Sequence, residues 1–473
     1  MKKKIIILLA LIICILGAAL FINNEHRIAF YPGKVKCGIG IEHVDDIINI
    51  TRGGKYYITG TGEDYTINVD TPNNVTLKFI NTNITNDEKI INVIQAKELT
   101  LIFEGNNTLT SKNEIAICSL VDTNIRGDGN LSISAKNGIY AKGNLEVYDM
   151  TINIESKGDS ISANKLTLDN VEFNSKINSD FTLDIAEGRY ALIDGNYIKV
   201  AKTDVSEYSK LYSLSESGKG IKANEIVIQN SKIEIDTQDD CISANNSIRS
   251  ENTTFKLSTL DDGLNSDKEI RIDRSNLTIL NSFEAIESEN ILLTNSNITI
   301  NSIDDGINIP NDIYGAYDNN LLIQNTDLDI IVTEGDGIDI SGYLSVFNSK
   351  LNIKSTETCI QAYDILMDRA NVKLYSTTLG KTALTGRMFG FNGEMLIAQN
   401  TKEFMINNTS SKISYIILEG VNGGKIIDKE DNELVIIPDG YPNIVYINTM
   451  VNNTDKYYFV SNEGKELINF KGY

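Results

Sequence analysis

The chain has 473 residues and a formal net charge of −21, which argues against nucleic acid or an anionic membrane surface as a partner. Such an acidic chain is compatible with divalent cations instead. Trp is absent, Pro is scarce, and Asn, Ile, Lys and Thr are plentiful, a composition suited to stacked β coils closed by polar turns.

Residues 1–22 carry three lysines followed by the apolar run Ile5 to Ile22. Lysines before such a run mark a membrane-targeting segment with the lysines inside. Its length just suffices to span a bilayer. Gly17-Ala18-Ala19 offers a site for cleavage, whereas Cys14 follows the large Ile13 and does not suit a lipoprotein site. An uncleaved anchor is favoured over a removed signal. Either way the remainder is expected outside the cell, secreted or held at its surface.

Residues 23–50 read as a linker and first cap, and 51–411 as a parallel β-helix. Between Lys55 and Thr110 the β runs are irregularly spaced. Aliphatic anchors then recur at Ile117, Ile139, Ile161, Ile221, Ile242, Leu264, Ile286, Ile307, Ile338 and Ile360, mostly 21 or 22 residues apart. A fixed period of that size with β runs and no helical pattern marks an all-β solenoid of about 22 residues per coil. Two longer gaps mark insertions. The first, near 181–218, contains YALIDGNYIKV, where Asp194-Gly195 between alternating runs predicts a β-hairpin. The second, 309–320, bears Tyr314 and Tyr317. Residues 412–473 read as a small antiparallel β cap. Cys241 and Cys359 share one repeat position several coils apart, too far to bridge, and are expected as small buried side chains.

Stacking turns the repeat into columns. The residue after each anchor points outward by period-2 alternation: Lys222, Ser243, Asn265, Asn308 and Asp339 form a polar stripe suited to contacting sugar. Asn170, Asn230, Asn252, Asn295, Asn325 and Asn348 form a second column, interrupted by Asp149, Arg274 and Arg369, that reads as an asparagine ladder holding a turn. A third column is acidic. Asp159, Asp240, Asp262, Glu284, Asp305 and Asp336 lie two residues before the anchors, with Asp239, Asp261 and Asp304 one residue earlier. Asp followed by Gly263, Gly306 or Gly337 suits tight turns, but a turn needs one such acid rather than two. Carboxylates repeated at a ~4.8 Å strand spacing repel unless protonated or screened by a cation. An oxygen-only donor set without His or paired Cys points to a hard cation, Ca²⁺. Solvated turn acids are the competing reading.

The phrases GIKANEIVIQNSKIEI, DDCISANNSIRSENTTFKL and DDGLNSDKEIRIDRSNLTI are similar to the prokaryotic carbohydrate-binding parallel β-helix family, exported proteins that resemble polysaccharide lyases in fold. The resemblance runs from Lys55 to Val421. It implies a right-handed, single-stranded parallel β-helix with bound calcium that attaches to cellulose or to acidic sugars such as polygalacturonate. The calcium-type acids would be those of the acidic column. The 181–218 insertion and the lack of Trp depart from that pattern and leave the sugar open.

Two enzyme readings compete with binding. Asp236-Thr-Gln-Asp239-Asp240-Cys241 resembles a motif of polygalacturonase-type hydrolases, and inverting hydrolysis needs two carboxylates about 6.5–9.5 Å apart. That family's Gly-His-Gly and Arg-Ile-Lys segments are missing, and the only histidines, His26 and His43, precede the repeats. A pectate-lyase-like reaction needs a calcium-bound substrate carboxylate and a basic side chain, for which Lys222 is the best candidate, with Arg249 and Arg271 behind it. A surface lysine without catalytic duty is the simpler account of Lys222, and no catalytic residue is expected. A non-catalytic adhesin or spacer is the remaining class. The expected partners are a polysaccharide and, through the N-terminal segment, a membrane, with the chain acting as a monomer; Tyr314 and Tyr317 offer stacking surfaces.

Overall fold

The computed structural model describes residues 26–38, 40–178, 190–193, 196–199, 218–310, 319–403 and 413–472. The apolar segment 1–22 lies outside them, as do Tyr314 and Tyr317. Among the described residues the regular elements are strands, and no helix is long and apolar enough to cross a membrane. The chain divides into two compact units, Met1–Lys232 and Ile233–Tyr473.

The N-terminal unit opens with strand Arg27–Tyr31, which pairs antiparallel with Lys34–Cys37 and parallel with Gly54–Glu63. Parallel coils follow. Gly54–Glu63 lies on Val75–Asn86, and the long strand Asn130–Ser156 lies on Ile161–Ile177, with Ile139 opposite Ile161. Ile161 then pairs with Ile221, so the anchor column continues in register across the insertion. Within that insertion Tyr190–Ile193 and Asn196–Lys199 form the expected antiparallel hairpin; its Asp194-Gly195 turn falls outside the described residues. Inward rings stack from coil to coil, Phe79 on Phe103 with centroids 4.9 Å apart.

In the second unit the anchors meet Cα to Cα: Ile242 with Leu264, then Ile286, Ile307, Ile338, Ile360 and finally Leu384. Ile242 through Ile360 in this row are fully buried, so this aliphatic column is the core that period-2 alternation demands. Strand Met388–Gln399 still runs parallel to Asp364–Ser376 but accepts Asn443–Asn448 antiparallel on its other side. An antiparallel sheet of Gly424–Ile427, Glu433–Ile437, Tyr457–Ser461 and Gly464–Ile468 completes the cap. Its Ile426, Val435 and Phe459 bury the exposed end of the coil at Leu396 and Ala398. The fold is a parallel β-solenoid with a small antiparallel C-terminal cap.

The asparagine column is a row of left-handed turn residues. Asn170, Asn230, Asn252, Asn295, Asn325 and Asn348 all have φ between 49° and 55°, and so do the interruptions Asp149, Arg274 and Arg369 within a few degrees. Asn tolerates that region better than other side chains because its short amide bonds locally. Here the amides also bond between coils: Asn348 Nδ2 donates to Asn325 Oδ1 at 2.7 Å, and Asn325 Nδ2 to Asn295 Oδ1 at 3.0 Å.

A second ladder, one residue later, escaped the sequence reading. Thr253, Ser275, Ser296, Thr326 and Ser349 are buried hydroxyls. Each accepting hydroxyl takes the backbone N–H of its equivalent in the previous coil, as in Ser275 N to Ser296 Oγ at 3.1 Å and Thr326 N to Ser349 Oγ at 3.0 Å. Each also donates to the carbonyl two residues back, Ser296 Oγ to Thr294 O at 2.7 Å. Ser296→Ala would leave the Ser275 N–H without this acceptor, which should cost about 1–3 kcal/mol. Ser296→Thr should be near neutral because Thr already fills this position at Thr253 and Thr326. Urea midpoints of the two variants test the assignment; equal losses would remove the hydroxyl from the account.

Candidate cation and carbohydrate site

The site rises from the turn that delivers each coil of the second unit into its anchor strand. The turn must put a small residue just before the anchor, because a Cβ on Gly337 would lie 2.3 Å from Ile353 Cγ2 and 2.5 Å from the Cys359 carbonyl. Gly263 and Gly306 are similarly crowded. None of the three has positive φ, so close packing between coils, rather than the tight-turn geometry expected for Asp-Gly, selects glycine here. Cys241 and Cys359 occupy the same position, fully buried and unbridged. Burial pushes the Cys359 thiol up to about 12, so it is inert at neutral pH.

With the small residue fixed inward, the acids one and two residues before it fall on the turn, and the structure divides them. One group joins Asp239, Asp240 and Asp261, and a second joins Asp262, Glu284 and Glu287, with carboxylate oxygens within 4.8 Å of one another in each. Asp239, Asp240 and Asp262 are buried. Glu287 was not among the expected cation ligands. It belongs to the outward stripe, where it sits directly after anchor Ile286, and only the fold brings it back to the acids.

The remaining acids hold turns. Asp305 Oδ1 accepts the Asp336 N–H at 2.8 Å, and Asp336 Oδ1 accepts the Thr358 N–H at 2.7 Å. In the N-terminal unit Asp159 Oδ1 likewise accepts the Lys219 N–H at 3.0 Å. Asp304 lies beside the backbone of Gly335. A cation already serves the far end of the column, where Lys381 Nζ bonds Glu357 at 2.8 Å.

The outward stripe is a continuous row at strand spacing: Ser243, Asn265, Glu287, Asn308, Asp339, Gln361 and Thr385 are paired in turn. It is joined to the acids rather than separate from them. Asn265 Nδ2 donates to Asp262 Oδ2 at 2.7 Å and to Glu287 Oε2 at 3.1 Å, and Asn308 Nδ2 to Glu284 Oε2 at 2.9 Å. These amides hold carboxylates in place. Lys222 is exposed on strand Ile221–Gln229 of the N-terminal unit, paired with Ser162. Arg249 and Arg271 are both engaged by Glu269, at 3.0 and 2.9 Å.

The electrostatics follow from crowding. Burial first, then Asp240, Asp261, Glu284 and Glu287, hold the Asp262 carboxyl well above the usual carboxylate range. Burial and the neighbouring Asp304 push Asp305 up to about 9, against the Asp336 N–H bond that favours its ionised form. Burial likewise carries Asp336 to about 6 and raises Asp339. Such a column resolves its repulsion by taking protons or by taking a cation. All-oxygen donors from neighbouring turns fit a hard divalent ion.

Two matches to the model of a family described as carbohydrate-binding domain-containing protein cover residues 44–184 and 176–263. The chain fits a carbohydrate-binding β-helix protein. In this β-helix the second match ends at residue 263, so it takes in Asp239, Asp240, Asp261 and Asp262 but stops before Glu284. No curated protein matches the sequence. Among solved structures, a mutant tailspike protein of E. coli bacteriophage HK620 in complex with pentasaccharide matches 86% of this chain and 84% of its own, at 8% identity and a TM-score of 0.24. A likeness that loose carries no argument.

Proposed function

We propose that the chain is a non-catalytic carbohydrate-binding protein outside the cell, secreted or anchored by residues 1–22, that holds Ca²⁺ on its acid column and attaches there to a polysaccharide. The observation that carries this reading is the junction of one carboxylate group, Asp262, Glu284 and Glu287, with the outward polar row through Asn265 and Asn308. A cation on Asp262, Glu284 and Glu287 would neutralise the column and offer open coordination positions to sugar hydroxyls or carboxylates. Acidic sugars such as polygalacturonate suit such a bridge best, and cellulose is the neutral alternative. Electrophoresis of the chain through gels containing either polymer, with calcium or with chelator, tests it. Retardation that calcium strengthens and chelator weakens supports the reading; migration unaffected by either polymer leaves only a spacer.

Proton competition gives a second test. Asp305 and Asp336 have folded-state values above the ordinary 3.8, so the folded chain binds more protons than the unfolded one between pH 4 and 9. Their contribution is fully present below pH 4 and is lost as pH rises through about 6 and then about 9. Without calcium the melting temperature should therefore fall from pH 5 to pH 8. Calcium needs ionised ligands, so its stabilisation should be small at pH 5 and larger at pH 8. A calcium effect that shrinks with rising pH would contradict the site.

A further inference from the structure

The second unit carries a groove on the face made by strands Asp327–Val332, Lys350–Ser355 and Asp364–Ser376. It encloses about 410 Å³ and is lined by outward side chains of all three. Two rows cross it. Asp327 pairs with Lys350, and Asp329 with Asn352 and then Lys373. Its acids are already satisfied: Lys350 Nζ bonds Asp327 at 3.1 Å, and Asn352 Nδ2 bonds Asp329 at 3.0 Å.

One of its two lysines is not. Lys373 is exposed and has no ion-pair or hydrogen-bond partner among the described residues, and the same holds for Lys354, the next outward position after Asn352. Lys354 stands directly opposite Tyr375, the aromatic wall of the groove. Tyr375 is held from behind by Tyr441 of the cap, with ring centroids 5.9 Å apart, and its hydroxyl has no partner among the described residues. Lys350 and Lys373 balance Asp327 and Asp329 along the groove, and Lys354 stands at its edge opposite Tyr375, so the ammonium groups of Lys354 and Lys373 are the charges left for a ligand. An immobilised tyrosine beside amides and amines suits a sugar ring with its hydroxyls, and the two unengaged ammonium groups add affinity for a carboxylate.

We propose that this groove is a second carbohydrate site, one that binds a uronate residue of an acidic polysaccharide directly through Lys354, Lys373 and Tyr375, without calcium. The inference rests on the reading of the chain as a carbohydrate-binding protein. It adds a cation-independent contact to the calcium-dependent one, so that a single polymer could be held at two places with a gain from linkage.

Calorimetric titration of the full chain with trigalacturonate in chelator tests it, using wild type, the double variant Lys354→Ala/Lys373→Ala and Tyr375→Ala. These side chains are at least partly solvent-facing, and unchanged melting curves confirm folding. The expected result is calcium-free binding that weakens tenfold or more in the lysine variant and in Tyr375→Ala. Calcium-free binding that is indifferent to both lysines would overturn the assignment. Binding seen only with calcium would also overturn it but leave the acid-column site standing. Absence of binding in both conditions would sink the two sites together.

Discussion

The double variant Asp262→Asn/Glu284→Gln is expected to lower calcium affinity by tenfold or more while making the calcium-free chain more stable at pH 8. The two effects have one cause. Asp262 is buried among Asp240, Asp261, Glu284 and Glu287, so its charge is opposed both by desolvation and by like charges. Replacing two carboxylates with isosteric amides removes that repulsion and keeps most of the hydrogen-bonding surface. It also removes two anionic ligands from one group of three, which a hard cation does not tolerate. Melting curves with calcium and with chelator measure both effects. If these acids were only solvated turn residues, the variant would leave the calcium response untouched. A loss of stability in chelator would mean that their charges are paired with a partner the account omits.

A second large effect is expected from a change of one methyl group. Gly337→Ala should destabilise the second unit by about 1–3 kcal/mol, the usual range for overpacking a close-packed interior. The added Cβ meets Ile353 Cγ2 at 2.3 Å on one side and the Cys359 carbonyl oxygen at 2.5 Å on the other. The carbonyl cannot retreat freely, because it accepts the Ile338 N–H at 2.9 Å and so ties one coil to the next. By contrast, Gly380→Ala meets nothing within 4 Å, and only its φ of 85° opposes the change, so a smaller loss is expected there. Denaturation midpoints rank the pair. A Gly337 variant as stable as wild type would show that the coil spacing adapts, and the packing explanation for these glycines would fail.

Much of this architecture could be read from spacing because a solenoid repeats its physics. Each anchor from Ile242 to Ile360 falls opposite its counterpart, and the column of Asn170 to Asn348, with its interruptions Asp149, Arg274 and Arg369, is the column of positive φ. What repeats in sequence repeats in space, so pattern suffices. The hairpin around Asp194-Gly195 was legible from turn chemistry alone.

Partnerships between columns were not legible in the same way. Glu287 follows its anchor and Glu284 precedes it, and alternation places them on different parts of the coil. Only the path of the backbone at the turn brings both to Asp262. The same is true of Asp305 and Asp336, whose backbone partners lie 31 and 22 residues further along the chain. The hydroxyl ladder did leave a trace, since Ser or Thr follows the turn residue at 231, 253, 275, 296, 326 and 349. In a chain so rich in Asn, Ser and Thr that trace does not stand out. Lys354, Lys373 and Tyr375 left none, because a groove across three strands depends on side chains that share no repeat phrase.

The central claim is that calcium on the acid column mediates attachment to a polysaccharide without turnover. Its most direct test is calorimetric titration of the full chain with polygalacturonate and with cellulose oligomers, with and without Ca²⁺, while absorbance near 235 nm is followed for unsaturated product. Calcium-enhanced binding with no change in absorbance is the predicted result. A rising absorbance would contradict it by revealing a lyase, and heats that ignore calcium would remove the cation from the site.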